Sequence, residues 1–548
     1  MTSPSPAMTV AQLLLARADD DATALLYDDR RWSYRELVDE GHQRAALYDQ
    51  VHDTTKPPHI GVLLDNVPDY IFWLVAAALS GSVIVGINST YRGAELAQLI
   101  GHTDCEVLVT SSDMTDLIAD AAPALSSDAI LVVDSAAYDA RLAAIEPRSL
   151  VGAEHGGQVT ADDLFLLIFT SGSTGLPKAV RCTQGRFART GGHVAAIAAL
   201  TADDVVYAPL PFFHSSSLFT GWASTITVGA AISTRRKFSA SNTVPDIRRF
   251  GATLLTYTGK VLNYILSVPD APDDATVPLR IAIGNEASEH DIREFARRYD
   301  CTVRDSYGST EGVIIIRRDP SMPAGALGSA DESVKVLDPA TGAEKPRAVF
   351  DASGRVVNLE EAVGEVVETQ PTAAFEGYYN NEEAVRLRFR DGGYWSGDLA
   401  YRDADGWLYF AGRSNEWLRV DGENFAAAPV EKILGRHPDV RSVAVYAVPD
   451  DPVGDRVMAA IELRQGVTFD PTDFDAFLSA QPDLGPKWLP AFVRVTDELP
   501  KLASMKLDKT LLRREAWRVE DVVWRPAKGQ ALRRLTADDR TRIDPLLP

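Results

Sequence analysis

The stretch FTSGSTGLPKAV, beginning at Phe169, holds the densest set of residues able to do chemistry. Hydroxyls at Thr170, Ser171, Ser173 and Thr174 alternate with Gly172 and Gly175, and Lys178 follows. Glycines let backbone N–H groups approach an anion closely, small hydroxyls donate further hydrogen bonds, and the lysine adds a point charge. The loop is not of the Walker type: Pro177 replaces the glycine before the lysine, and no Ser or Thr follows Lys178. SGSTG alone also suits a solvated turn. The apolar run LFLLIFT upstream at Leu164 and the helical pattern expected downstream favour an anion cradle.

Further polar clusters follow in order: PLPFFHSSSLFTGW at Pro209, GNEA at Gly284, DSYGSTEG at Asp305, YWSGDLAYRDADGWLYFAGR at Tyr394, VDGENFAAAPVE at Val420 and LPKLASMKLDK at Leu499. The elements that must position them read as an alternation of short apolar strands and helices. IGVLL at Ile60, VIVGI at Val83, EVLVT at Glu106, LFLLIFT, VVYAPL at Val205, TLLTYT at Thr253, LRIAIGN at Leu279 and TVRDSYG at Thr302 are strand-like. Strands apolar on both faces and separated by helices imply parallel sheets covered on both sides. Ligands in such sheets sit outside the carboxyl ends of the strands, where several of these motifs fall. After Gly412 the texture changes to a helix-like PVEKILGRH, strands VRSVAVYAV and VMAAIEL, a helix near Phe474 and a strand AFVRVT. The expected fold class is α/β, with a large parallel-rich N-terminal domain over residues 1–412 and a smaller α+β domain over 413–548. The polar tail beyond Glu520 is expected to be loosely held.

A chain of 548 residues is too long for one core. Its net charge of −22 repels polyphosphate backbones, so nucleic acid is not an expected partner, and an anionic ligand must be held by local groups against the global field. Cys105, Cys182 and Cys301 are isolated and odd in number, which suggests reduced thiols in a cytoplasmic protein. The opening MTSPSPAMTVAQLLLARADDD does not read as a signal peptide. Residues 70–91 are uncharged and long enough to span a bilayer, but Ser80, Gly81 and Ser82 interrupt them, so a buried helix–strand pair is expected.

Taken together the motifs resemble the adenylate-forming superfamily of acyl-CoA synthetases, luciferases and peptide-synthetase adenylation domains, over residues 32–513 and in the family's order. The resemblance implies ATP, Mg²⁺ and coenzyme A as the reaction's partners. It makes 170–175 and Lys178 the phosphate loop, with Thr174 and Glu311 at the metal. His214 then borders the acyl pocket, and Gly284, Asn285 and Glu286 lie along the adenine. Tyr307 stacks on the adenine next to Gly308, Thr310 contacts the α-phosphate, and Asp398 and Arg413 reach the ribose. Gly422 lines the channel for the pantetheine arm, and Lys506 is the catalytic lysine. Two positions depart from the pattern. Asn415 stands at the hinge, usually Asp or Lys, about which the mobile small domain turns. Met505 stands where a glycine usually precedes the lysine, and Lys501 and Lys509 lie close enough to compete for the register.

RRKFSASNTVPDIRRFGATLLTYTGKVLNYIL at Arg235 and IAIGNEASEHDIREFARRYD at Ile281 look like the fatty acid transport protein and very-long-chain acyl-CoA synthetase branch. Membrane members of that branch carry an N-terminal anchor that is not expected here. The expected function is a long- or very-long-chain fatty acid–CoA ligase, with peripheral membrane contact possible. Alternatives are a ligase for steroid side-chain carboxylates, an acyl-AMP ligase that loads a carrier protein, a luciferase-like oxidase and a non-enzymatic fatty-acid binding or uptake protein.

Overall fold

The computed structural model describes residues 8–122, 125–145, 159–170, 178–319, 321–323, 325–352, 356–371, 375–413, 417–420, 423–449, 455–481, 484–502, 505–527 and 530–544. The chain forms two compact units, Met1–Val313 with Thr372–Leu387, and Ile314–Pro371 with Arg388–Pro548.

Two sheets build the first unit. One has the order Ile130–Val132, Val107–Thr110, His59–Leu63, Val83–Gly86, Leu164–Thr170 and Lys178–Thr183, parallel throughout except for the last pair. The other runs Thr302–Asp305, Ile281–Asn285, Leu254–Thr258, Val205–Tyr207, Ala231–Thr234, Thr23–Tyr27 and Arg30–Ser33, again parallel except for the last pair. Inner strands such as His59–Leu63 and Leu254–Thr258 are buried at every residue, as their unbroken apolar runs require. The 70–91 stretch resolves into the helix Pro68–Ser80, which Gly81 ends at φ +79°, and the strand Val83–Gly86. Among the described residues no helix is long and apolar enough to cross a membrane.

One local expectation fails. The glycine–hydroxyl loop does not lead straight into a helix. It joins Leu164–Thr170 to the antiparallel strand Lys178–Thr183, and the helix Gln184–Ala198 begins only after that. The second strand pairs along its inner edge with Leu164–Thr170, and at its outer edge Tyr378 pairs with Val180 and the Arg181 N–H donates to the Gly377 carbonyl at 3.0 Å.

The second unit is largely antiparallel. Val334–Leu337, Gly364–Glu368, Gly393–Arg402 and Phe389–Arg390 form one sheet, with Leu408–Arg413 also on Gly393–Arg402. Farther on, Val440–Pro449, Asp455–Leu463, Phe492–Thr496, Val522–Ala527 and Gln530–Arg534 form a five-stranded sheet whose second and third strands are parallel. The helices Ala427–Leu434 and Pro471–Ser479 pack on it around Leu418, Ile433, Phe474 and Val493.

The described part of the tail beyond Glu520 is not loosely held. Val522–Ala527 and Gln530–Arg534 complete the sheet, and Ala537–Ile543 is a helix. Val523 and Leu532 are buried, Trp524 packs on the core, and Asp539 pairs with Arg525 and Arg533 at 3.2 and 2.6 Å. The polar texture of the tail is one solvated face of an ordinary edge hairpin.

Candidate active site

Residues 171–177 lie outside the described residues, so the structure fixes only the base of the phosphate-loop candidate. Thr170 and Lys178 face one another as the closing pair of the hairpin. Lys178 is buried, and its ammonium stands 5.4 Å from the Tyr378 ring centroid. The Tyr378 hydroxyl in turn donates to Oε1 of Glu311 at 2.8 Å. Glu311 is buried, and the neighbouring Thr310 hydroxyl donates to Ser215 Oγ at 3.1 Å. Ser215 follows half-buried His214, whose ring lies 4.6 Å from that of Phe213. Four stretches far apart in the chain are therefore linked in series: the loop base to Tyr378, Tyr378 to the Glu311 carboxylate, and neighbouring Thr310 to the 213–215 turn.

Phe213 also lines an apolar seam with Tyr70, Leu74, Ile84, Leu166 and Leu218, and the seam is closed to a water-sized body. An acyl chain lodged there would have to displace side chains.

The segments expected along the adenine are locked at the carboxyl ends of neighbouring parallel strands. Gly284 lies beside Tyr257 on the next strand, and a Cβ there would meet the Tyr257 carbonyl at 2.1 Å. The Tyr257 hydroxyl and the Ala287 N–H both donate to Oδ2 of buried Asp305, each at 2.9 Å. The Ser306 N–H donates to the Gly284 carbonyl at 2.9 Å, and the Thr258 hydroxyl to Asn285 Oδ1 at 2.6 Å. Exposed Glu286 takes φ +66°, while Tyr307 is half-buried and Gly308 exposed. GNEA and DSYG thus form one surface.

In the second unit, Asp398 and Arg413 are direct partners on adjacent antiparallel strands. Asp398 is buried, and its N–H donates to Ser396 Oγ at 3.0 Å. Gly397, at φ +75°, donates its N–H to Oε1 of Glu365 at 2.6 Å. Burial raises the Glu365 carboxyl above its usual range, against the pull of that hydrogen bond and of Arg390. The hinge candidate Asn415 and the channel candidate Gly422 lie outside the described residues.

Lys506 is half-buried on the arm of a tight turn in which the Leu502 N–H donates to the Lys506 carbonyl and the Met505 N–H to the Leu502 carbonyl, both at 2.8 Å. Met505 holds φ +65°, a region that favours glycine, the residue the resemblance leads one to expect there. Of the two rival lysines, Lys501 pairs with Glu498 at 2.5 Å and Lys509 with Glu431 at 2.9 Å. A separate cavity of about 390 Å³ is lined by Leu337, Thr341, Arg390 and Trp395 among others, and none of the expected site residues borders it.

Residues 15–379 match the AMP-binding enzyme family, and residues 429–506 match the AMP-binding enzyme C-terminal domain. The chain belongs to the AMP-binding enzyme family. Its relatives in that family include the steroid-22-oyl-CoA synthetase of Rhodococcus jostii, 45% identical over 94% of this chain and 93% of that protein. Another is the medium/long-chain-fatty-acid–CoA ligase FadD17 of Mycobacterium marinum, 42% identical over 95% of this chain and 99% of that protein. Among solved structures, the anthranilate CoA ligase AuaEII in complex with anthranoyl-AMP superposes with a TM-score of 0.79 at 21% identity, over 94% of this chain and 98% of that one. The fold is that of an AMP-binding enzyme, with a large α/β region and a smaller C-terminal one.

Sequence reading missed Tyr378, which holds the Glu311 carboxylate, and Arg186, which holds the backbone beside it. Neither lies in a motif, and no local pattern announces either. Ser215 stands within the quoted PLPFFHSSS but gave no sign of contact with Thr310.

Proposed function

We propose that this AMP-binding enzyme joins a long- or very-long-chain fatty acid to coenzyme A through an acyl-adenylate. What supports the reading most is that CoA ligases align with it over nearly its whole length at 45 and 42% identity. A carboxylate is a poor electrophile, so it first attacks the α-phosphorus of ATP and pyrophosphate leaves. The CoA thiolate then attacks the acyl-adenylate and AMP leaves. Both steps need positioning and charge neutralisation rather than a protein nucleophile.

The roles assigned to the residues follow from this chemistry. Loop residues 170–175 and Lys178 hold the polyphosphate. Gly284, Asn285, Glu286, Tyr307 and Gly308 cradle the adenine, and Asp398 and Arg413 hold the ribose. Thr310 faces the α-phosphate, His214 borders the acid, and Gly422 lines the way in for the pantetheine arm. Glu311 fits Mg²⁺: it is a hard oxygen donor with Oε1 engaged by Tyr378 and a second carboxylate oxygen beside it. Thr174 is assigned as its companion ligand. When bound, the ion neutralises phosphate charge. Lys506 bridges the carboxylate and α-phosphate during adenylation, and the 413–548 domain turns about Asn415 against 1–412 to withdraw it. The protein acts in the cytoplasm, with peripheral contact to membranes that hold its substrate.

An apolar acid suits this design, since each buried methylene contributes about 0.8 kcal/mol. A second reading, a steroid side-chain carboxylate as the acid, is favoured by the 45% relative. The deciding experiment is CoA-dependent AMP formation with ATP, magnesium and acids from acetate through palmitate and longer chains to a steroid side-chain acid. Highest turnover with palmitate or longer acids upholds the first reading, and preference for the steroid acid selects the second. Pyrophosphate release without CoA turnover points to carrier loading, and silence across the panel defeats the ligase. Lys506→Ala should lower adenylation about 100-fold or more while sparing thioester formation from synthetic acyl-adenylate. Equal loss in both steps removes Lys506 from its role.

A further inference from the structure

Arg186 stands in the first turn of the helix Gln184–Ala198, outside every motif, and is buried. Its Nη1 donates to the Arg181 carbonyl at 2.8 Å. Its Nη2 donates to the Glu311 carbonyl at 2.9 Å and to the Thr310 carbonyl at 2.5 Å. A buried cation is costly unless its hydrogen bonds are met, and here one goes to the Arg181 carbonyl and two to the consecutive carbonyls on either side of the Glu311 α-carbon.

The same strand reaches Glu311 by a second route. Arg181 lies on Lys178–Thr183, whose Val180 pairs with Tyr378, and Tyr378 donates to the Glu311 carboxylate. One route holds the backbone of Glu311 and the other its carboxylate. Both start from the strand that leaves the hydroxyl–glycine loop. A fork of three donated bonds needs a planar guanidinium, because an ammonium on a shorter reach cannot span the Arg181 carbonyl and the Thr310–Glu311 pair together.

We propose that Arg186 is a positioning residue that holds the Thr310–Glu311 backbone so that the Glu311 carboxylate meets magnesium–ATP in a single orientation. This rests on the reading of Glu311 as the magnesium ligand. It assigns Arg186 no contact with substrate.

The test measures binding rather than turnover. The affinity of the full-length protein for α,β-methylene-ATP is titrated by calorimetry across a range of magnesium concentrations, for the wild type and for Arg186→Met, Arg186→Lys and Glu311→Gln. Thermal midpoints are recorded alongside. Arg186→Met should raise the magnesium needed for half-maximal nucleotide binding about tenfold, the scale of losing an outer-shell partner of a metal ligand. Arg186→Lys should fall between it and the wild type.

A lowered thermal midpoint with an unchanged magnesium requirement makes Arg186 merely structural and overturns the proposal. If Arg186→Met does not fold, a wild-type requirement in Arg186→Lys overturns it equally. Glu311→Gln separates the two layers. An unchanged requirement in that variant defeats the magnesium reading itself. A shift there with none in the Arg186 variants defeats only the positioning role.

Discussion

Gly284→Ala should break the surface expected under the adenine. Gly284 is paired with Tyr257 on the neighbouring parallel strand, and an added Cβ would meet the Tyr257 carbonyl at 2.1 Å and two carbons of its ring at 2.6 and 2.7 Å. Ordinary contact begins near 3.4 Å, so backbone on one strand must retreat by more than an ångström. Overpacking of this kind costs about 1–3 kcal/mol. The retreat also pulls on the Tyr257 hydroxyl, which together with the Ala287 N–H holds Asp305. Losing one hydrogen bond to a buried carboxylate adds about 1.5–3 kcal/mol. The combined loss is therefore about 4 kcal/mol, within the range that only a named steric or buried-polar fault produces. The assay is urea unfolding with ATP binding titrated in parallel. Gly101→Ala serves as the control, since a Cβ there meets nothing within 4 Å and the position is helical. The control should be neutral or more stable by up to about 1 kcal/mol. ATP affinity should fall at least about tenfold in Gly284→Ala, equivalent to about 1.4 kcal/mol. A Gly284→Ala protein that unfolds with the control and binds ATP like the wild type refutes the reasoning.

Glu365 gives a pH signature. Its folded carboxyl titrates above the unfolded value near 4.3, so the folded chain keeps a proton that the unfolded chain has already released. Stability attributable to this group therefore falls as pH rises through that window. Glu365→Gln, which can still accept from the Gly397 N–H, should remove this slope and match or exceed wild-type stability at pH 8. A variant that keeps the slope and is weaker at pH 8 contradicts the assignment. The cysteines should be poorly reactive in the native protein. Burial pushes all three thiols up to about 12, so thiol reagents at pH 8 should modify fully buried Cys105 and Cys182 only after unfolding and half-buried Cys301 only slowly before it. Fast labelling of folded protein counts against that burial.

The sequence by itself determined the strand–helix alternation and the order of the motifs. Strands buried on both faces read as apolar runs, so Leu164–Thr170, Leu254–Thr258 and Ile281–Asn285 were visible without their neighbours. The polar residues at their ends followed from parallel topology. Other features depend on partners distant in the chain. Lys178–Thr183 is a strand because it folds back on Leu164–Thr170, and its other edge is taken by residues near Tyr378, a partner that no local pattern reveals. The tail looked dispensable because one of its faces is solvated, while Val523, Trp524 and Leu532 serve a core built from residues far upstream. Arg186 and Tyr378 reach Thr310 and Glu311 from 124 and 67 positions away along the chain. A motif records what each segment brings to the chemistry. Which side chains steady the one carboxylate at its centre is settled by distance in space, and only the folded chain sets that.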